Sequence, residues 1–401
     1  MRTKIFSDVL RVKNIDIALL MQSTDIYYYT GTFANGILVI TKDNEKFLFV
    51  RRGLDRAQEE TDISVSYMNG FSDIKKFIQQ QGFKVDTIGL EFDVLPANFY
   101  LKFKEIFDRS QIVDVSDLIR WQRRIKEPNE IENIAQAAKN LDCLMADARI
   151  YLEENKREID ISAKLEYLAR LRGHQGRNRM RMFNGEIFMG HVISGSSAVG
   201  FSGYMKPLTG KGMYPTYPEG ASTNRIEKNK PIIVDFVFNY NGYLADQTRT
   251  FVIGDVSSEL KKGYQFCLDL INWFEDYAKA GTNAYEIYVK ALEKAKNAGY
   301  ESIFMGIGKD RVSFLGHGVG LELDEYPFIA KGMDYPLEEN MVFAFEPKLV
   351  FNEGAVGLEN TYLVTKDSVE SLTRFPKQLV QLWYTILNLE KILNEKGFMK
   401  Q

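Results

Sequence analysis

Asp235 and Asp246 flank an Asn241-Gly242 pair inside an apolar stretch, and that pattern is the part of this 401-residue chain best suited to chemistry. Asn-Gly between branched and aromatic residues is a strong signal for a two-residue hairpin turn. With the turn there, Asp246 lies opposite Val237, and Asp235, on the same face as Val237, sits diagonally across from Asp246. The neighbours are Ile232, Ile233, Val234, Phe236 and Phe251. Two carboxylates held together in such surroundings repel, and burial raises the cost, unless a cation lies between them. A divalent metal ion is the economical cation. Three further groups extend the set. His317 stands between Gly316 and Gly318, whose small size lets the backbone approach whatever the imidazole binds. Glu346 ends the apolar run Met341–Phe345, and Glu359 follows beyond a turn expected at Asn352-Glu353-Gly354. If those segments pair as a hairpin, the glutamates become neighbours like the aspartates. Four carboxylates and one imidazole suit two hard or borderline divalent ions, with at least one acid bridging.

The order Asp, Asp, His, Glu, Glu and its flanking residues resemble the superfamily of aminopeptidase P, prolidase and methionine aminopeptidase. The matching segments are Val234-Asp235, Gly242–Thr250, His317–Glu322, Glu325–Pro327, Glu346-Pro347 and Leu358–Thr361. Residues 1–125 look like the N-terminal domain of the creatinase/prolidase branch, and Arg124–Ile134 resembles the linker that opens its catalytic domain. The resemblance implies an α/β (α+β) chain, with a creatinase-like domain over 1–125 and a pita-bread metallohydrolase domain over 126–401. It also implies a dinuclear site of Asp235, Asp246, His317, Glu346 and Glu359 holding manganese, cobalt, zinc or iron. The implied reaction is metal-assisted hydrolysis of a peptide bond near the N-terminus of a small Xaa-Pro substrate, with Glu346 combining metal ligation and proton shuttling.

The chain departs from that pattern at the substrate. The family places two further histidines near the scissile bond, yet this sequence has three histidines in all: His174, His191 and His317. Seven residues after His317, where one is expected, stands Asp324; the segment Tyr217-Pro218-Glu219, where the other is expected, has none. An ionised Asp324 cannot donate to an oxyanion, so it is expected to line the pocket and set specificity; capping a turn before Tyr326-Pro327 is the plainer alternative. His191 is the substitute donor to weigh against an ordinary histidine at a strand end. Arg172, Arg177, Arg179 and Arg181 could bind a substrate carboxylate, although such a run more often faces solvent or a second subunit. The place where the family often has an arginine, just before the last glutamate, is Gly357. Two other functions stay open: hydrolysis of a non-peptide C–N bond, and a catalytically silent binding module.

A net charge of −3 without a long basic run gives no reason to expect nucleic acid. No segment reaches the roughly 20 apolar residues needed to span a bilayer. Cys143 and Cys267 match no zinc spacing and read as free thiols in a reducing compartment, so a cytoplasmic location is expected. Strands are expected at Ile17–Met21, Ile37–Ile40, Lys46–Val50, Ser64–Tyr67 and Thr87–Leu90, with helices at Asp73–Gln81 and Asn98–Phe107 and a mixed sheet. From Glu127, Ile131, Ile134, Ala137, Leu141, Leu144 and Ala148 mark one helical stripe, and Asp160–Arg172 a second helix. A strand at Ile187–Ser194 and a long loop, Gly195–Gly220, precede the aspartate hairpin. Helices at Ser257–Ala280 and Ala284–Gly299 then precede the half carrying His317, Glu346 and Glu359, so helices and hairpins alternate twice. Leu379, Leu382, Ile386, Leu389 and Leu393 suggest a terminal amphipathic helix docking on the body or on a second subunit, and a homodimer is expected.

Overall fold

The computed structural model describes residues 2–199 and 206–383. It divides into two compact units, one of residues 1–123 with 181–185, the other of 124–180 with 186–401.

The first unit runs α1 (Arg2–Val12), β1 (Ile17–Leu20), α2 (Ser23–Thr30), β2 (Gly36–Thr41), β3 (Lys46–Val50), α3 (Leu54–Glu60), β4 (Ser64–Tyr67), α4 (Ser72–Gln80), β5 (Thr87–Leu90), α5 (Ala97–Ile106), β6 (Gln111–Asp114) and α6 (Ser116–Arg123). Its strands form one sheet in the order β4-β3-β2-β1-β5-β6. β2 is antiparallel to both neighbours and the other pairings are parallel, which is the mixed sheet expected. Ile17, Leu19, Ile37, Val39, Ile88 and Leu90 bury one face of it against Phe71, Ile74 and Phe103 of the α4 and α5 region. Helices α1, α2, α3 and α6 and strand β6 were not among the expected elements. α2 carries three successive tyrosines, residues that favour strands, and is set by its ends: Gln22 accepts from the Thr24 amide, and Gly31 closes the helix at φ 80°.

The second unit opens with α7 (Pro128–Tyr151) and α8 (Glu158–Leu171), followed by β7 (Gly190–Ser194), β8 (Pro231–Tyr240) and β9 (Tyr243–Ile253). It repeats the plan with α9 (Ser258–Tyr277) and α10 (Ala284–Asn297), then β10 (Phe314–Val319), β11 (Leu323–Ala330), β12 (Val342–Phe345), β13 (Lys348–Phe351), β14 (Gly354–Gly357), β15 (Asn360–Val364), β16 (Val369–Ser371) and β17 (Val380–Leu382). Pro128 in the first turn and a reciprocal Glu127–Glu130 capping box start α7, which buries Ile134, Ala137, Leu141, Leu144 and Ala148 as the stripe predicts. The described strands form ladders in the orders β17-β9-β8-β7 and β11-β10-β12-β15-β16, with β13 and β14 paired as a hairpin. One large core lies between α9, α10 and the second ladder; within it Phe274 stacks on Phe345 with ring centroids 4.1 Å apart.

The C-terminal helix expected from Leu379 onward is corrected at its start. Val380–Leu382 is a strand parallel to β9, Leu382 is buried, and its carbonyl accepts from the Gly254 amide at 3.0 Å. The outer side of β9 offers unpaired backbone groups, and pairing them outweighs a three-residue apolar spacing. Ile386, Leu389 and Leu393 lie outside the described residues.

Candidate metal centre

The aspartate hairpin forms in the expected register. Asn241 and Gly242 take φ of 49° and 88°, the left-handed pair that a two-residue turn needs. Val237 then faces Asp246 and Asp235 faces Thr248, which puts both acids on one face. The glutamates meet because β12 pairs with β15 up to Phe345 opposite Asn360, leaving Glu346 and Glu359 as the next facing positions. The Glu346 amide donates to Leu315 O at 2.9 Å and the Glu359 amide to Thr248 O at 3.1 Å, tying one glutamate to the histidine strand and the other to the aspartate strand. Arg249, fully buried, reinforces the second tie by donating to Glu359 O and Thr248 O at 2.7 and 2.8 Å.

His317 enters from the middle of β10, between β11 and β12. Its Nε2 lies 3.9 Å from Asp246 Oδ2, 3.7 Å from Glu346 Oε1 and 3.6 Å from Glu359 Oε1. Donor atoms that all sit at about 2.0–2.6 Å from one ion are separated by such distances. Asp246, His317 and Glu359 offer ligand atoms that lie within 4.8 Å of one another. Asp246 Oδ1 and Glu359 Oε1 are buried with no hydrogen-bond partner, an arrangement that a cation would complete. These residues therefore fit a divalent ion.

The other oxygens of the same acids face a residue that the sequence reading missed. Lys348 Nζ lies 2.5 Å from Glu346 Oε2, 3.0 Å from Glu359 Oε2 and 3.4 Å from Asp235 Oδ2, with its side chain 2% exposed. A signal existed: Lys348 stands two residues beyond Glu346, the spacing that shares a face in extended chain.

The remaining expected residues reach the same cavity, which Asp235, Asp246, His317, Glu346, Glu359, His191 and Asp324 line together. His191 sits on β7 opposite Asp235, with Nε2 3.9 Å from Asp235 Oδ2 and no hydrogen-bond partner on that nitrogen. Asp324 is an extra residue in β11: Val319 faces Leu323 but Gly318 faces Glu325, and Asp324 takes a φ of 61°. A bulge of this kind re-aims a side chain, and here it brings Asp324 Oδ1 to 3.4 Å from His317 Nδ1. The arginine cluster does not line the cavity. Arg172 pairs with Asp147 at 2.7 Å, and Arg181 with Asp25 and Asp93 of the first unit.

Without an ion the site must hold protons. Burial, reinforced by Glu359 and Asp235, pushes the Asp246 carboxyl well above the usual range. Burial likewise raises Glu346 to about 7, although Lys348 and His317 oppose it. Burial disfavours the charged imidazole of His317, but the neighbouring Glu359, Asp324 and Glu346 carboxylates outweigh this and lift it to about 10. Glu359 goes the other way: burial is outweighed by Lys348, His317 and the Thr248 hydroxyl, which hold it at about 2. His191, buried and only weakly favoured by Asp235, falls to about 4 and is a neutral imidazole at neutral pH.

Paired helix–hairpin halves around a buried carboxylate–imidazole cage define a metal-dependent hydrolase of the pita-bread class. The chain belongs to metallopeptidase family M24, whose model matches residues 132–366, and a creatinase/prolidase N-terminal domain matches residues 2–125. It is 28% identical over 371 residues to a Xaa-Pro dipeptidase of Pyrococcus furiosus, covering 92% of this chain and 96% of that protein. Among solved structures, the prolidase of Pyrococcus horikoshii superposes with a TM-score of 0.80 at 27% identity, covering 94% of this chain and 99% of that one. A Xaa-Pro dipeptidase of Bacillus anthracis gives 0.81 at 25% identity, covering 95% and 99%.

Proposed function

We propose that this metallopeptidase cleaves the peptide bond next to the N-terminal residue of small peptides, with Xaa-Pro dipeptides as the first candidates. The observation that carries the reading is the outer cage of Asp246, His317, Glu346 and Glu359, two of whose buried carboxylate oxygens lack a partner. The relatives' activity on Xaa-Pro peptides supports the substrate class. Manganese, cobalt, zinc and iron are the candidate ions, since mixed carboxylate and imidazole donors suit them. A bound ion would acidify a water and polarise the substrate carbonyl.

The chain's own groups do the rest. Glu346, with Oε1 facing the cage, accepts a proton from the attacking water and returns it to the leaving nitrogen. His191 replaces a missing family histidine as the donor to the developing oxyanion, because its Nε2 is free on the cavity side. The Asp324 carboxylate, 3.4 Å from His317 Nδ1, favours the ring orientation that turns Nε2 toward the cage, as carboxylates behind metal-binding histidines do. Asp324 also lines the cavity, where a carboxylate can receive a cationic substrate amine. The two free cysteines support a cytoplasmic setting. No helix among the described residues is long and apolar enough to cross a membrane. A homodimer is the proposed assembly, which light scattering on the eluting protein tests, and the functional division is proposed at 1–125 and 126–401.

The decisive screen offers Xaa-Pro dipeptides, longer Xaa-Pro peptides, and small amidino and amide compounds, each with added manganese, cobalt or zinc. Release of proline from the dipeptides supports the proposal. Turnover confined to the non-peptide compounds would instead favour cleavage of another C–N bond, the reading that the aspartate at position 324 keeps alive.

A further inference from the structure

The carboxylate cage has two sides, and they differ in what completes them. On the outer side, His317 Nε2 faces Asp246 Oδ2, Glu346 Oε1 and Glu359 Oε1 at 3.9, 3.7 and 3.6 Å, and Glu359 Oε1 is buried without a hydrogen-bond partner. On the inner side, Asp235 and the other oxygens of the same glutamates surround the Lys348 ammonium. An ammonium has three N–H donors, and here three carboxylates receive it, at 2.5, 3.0 and 3.4 Å.

We propose that the Lys348 ammonium takes the place of one of the two cations this cage was expected to hold, so that the chain binds a single divalent ion, on the His317 side. This rests on the reading that the outer cage is a metal site.

Two observations independent of those distances support it. Lys348 faces Gly357 across the β13–β14 hairpin, and a Cβ at Gly357 would come within 2.7 Å of Lys348 Cγ and 2.5 Å of Pro347 O. The glycine thus leaves the room in which the lysine side chain rises to the cage; the position lacking an arginine lies opposite the residue that supplies the positive charge. The second observation is an unpartnered oxygen. Glu359 Oε1, the oxygen 3.6 Å from His317 Nε2, is buried without a hydrogen-bond partner. Coulomb repulsion completes the case: a divalent ion entering the inner side must either displace the ammonium or lie against it in a site of low dielectric. The lysine also fixes Glu346 by one oxygen, leaving the other for the outer ion and the proton transfer assigned to it.

The test uses full-length protein stripped with chelator, reloaded with manganese and dialysed, in wild-type and Lys348→Ala forms. Metal content is read by plasma mass spectrometry and spin coupling by electron paramagnetic resonance. One manganese per wild-type chain with an uncoupled spectrum supports the proposal. So does a second ion in Lys348→Ala with an exchange-coupled spectrum and affinity raised about 10-fold or more, because the ammonium's charge-assisted hydrogen bonds no longer compete. Two ions with a coupled spectrum in wild type overturn the lysine's role and leave the metallohydrolase reading standing. A wild type that binds none overturns both. A folded Lys348→Ala that still takes one ion also overturns the proposal, and if that variant does not fold, the wild-type stoichiometry and spectrum decide.

Discussion

Each unit buries a knot of charge, and the two knots are solved differently. In the first, Asp25 is fully buried against Arg123 at 2.7 Å and Arg181, which also pairs with Asp93. Burial alone would raise Asp25, but Arg181 and Arg123 outweigh it and hold it at about 2. Beside it Glu91 accepts from the Met21 and Gln22 amides, and burial together with Asp25 keeps its carboxyl well above the usual range. Glu91 Oε1 has no hydrogen-bond partner but lies 3.9 Å from Arg181, so two guanidinium groups serve the three acids of this knot. In the second unit, four acids meet one ammonium and one imidazole, and two carboxylate oxygens are left without partners. Buried charge therefore does not by itself mark a functional site. A larger excess of acids over the protein's own cations, with donor atoms spaced for one ion, does.

This contrast can be broken at either knot. The largest effect is expected at the second: Glu346→Gln should lower turnover of any active substrate by roughly 10²–10⁴-fold, the usual worth of a positioned general base, with circular dichroism unchanged. Full activity at normal metal content would remove Glu346 from its role. At the first knot Asp25→Asn should cost about 3–5 kcal/mol in urea unfolding, as broken buried ion pairs do, while metal content stays normal. Asp246→Asn should do the reverse, leaving the chelated protein as stable or more so, because it removes a repelled carboxyl, and losing the ion. Equal destabilisation by both substitutions would erase the distinction.

Acid sharpens it further. Asp25 is depressed in the folded state, so its contribution is present above its ordinary value of 3.8 and lost as pH falls through about 2. Stability of the wild type measured from pH 5 downward should show a loss in that window that Asp25→Asn lacks. The smallest effect is expected for Asp324→Ala, on the order of 10-fold in metal affinity as for other carboxylates behind a metal-binding histidine, with a changed order of substrate preference. Unchanged affinity and preference would make Asp324 a turn residue and leave His191 as the next position to vary.

The parts of the fold that were legible in the sequence are those whose signal is local. Asn241-Gly242 determined the hairpin register, so the placement of Asp235 and Asp246 followed from strand geometry alone. The turn at Asn352-Glu353 brought β13 against β14, although the glutamates themselves are juxtaposed by β12 and β15. Lys348 escaped because the resemblance directed attention to acids and histidines, and a lysine in a strand ordinarily reads as solvated. Asp324 was legible as a departure but not as a bulge, since a left-handed aspartate in a strand has no sequence signature beyond its residue type. Arg181 misled for the opposite reason: its partners Asp25 and Asp93 are far away in sequence, so a buried structural ion pair looked like an exposed run of arginines. At the C-terminus the spacing of Leu379 and Leu382 fitted a helix, and only the open edge of β9 makes Val380–Leu382 a strand.

The central claim is that the outer cage holds a divalent ion that turns this chain into a peptidase. It is tested most directly by following proline release from a Xaa-Pro dipeptide by one preparation, first stripped with chelator and then given manganese, with Glu346→Gln alongside. The account predicts no release from the stripped protein, recovery on adding manganese, and little recovery in the variant. Release that ignores both the chelator and the substitution would contradict it.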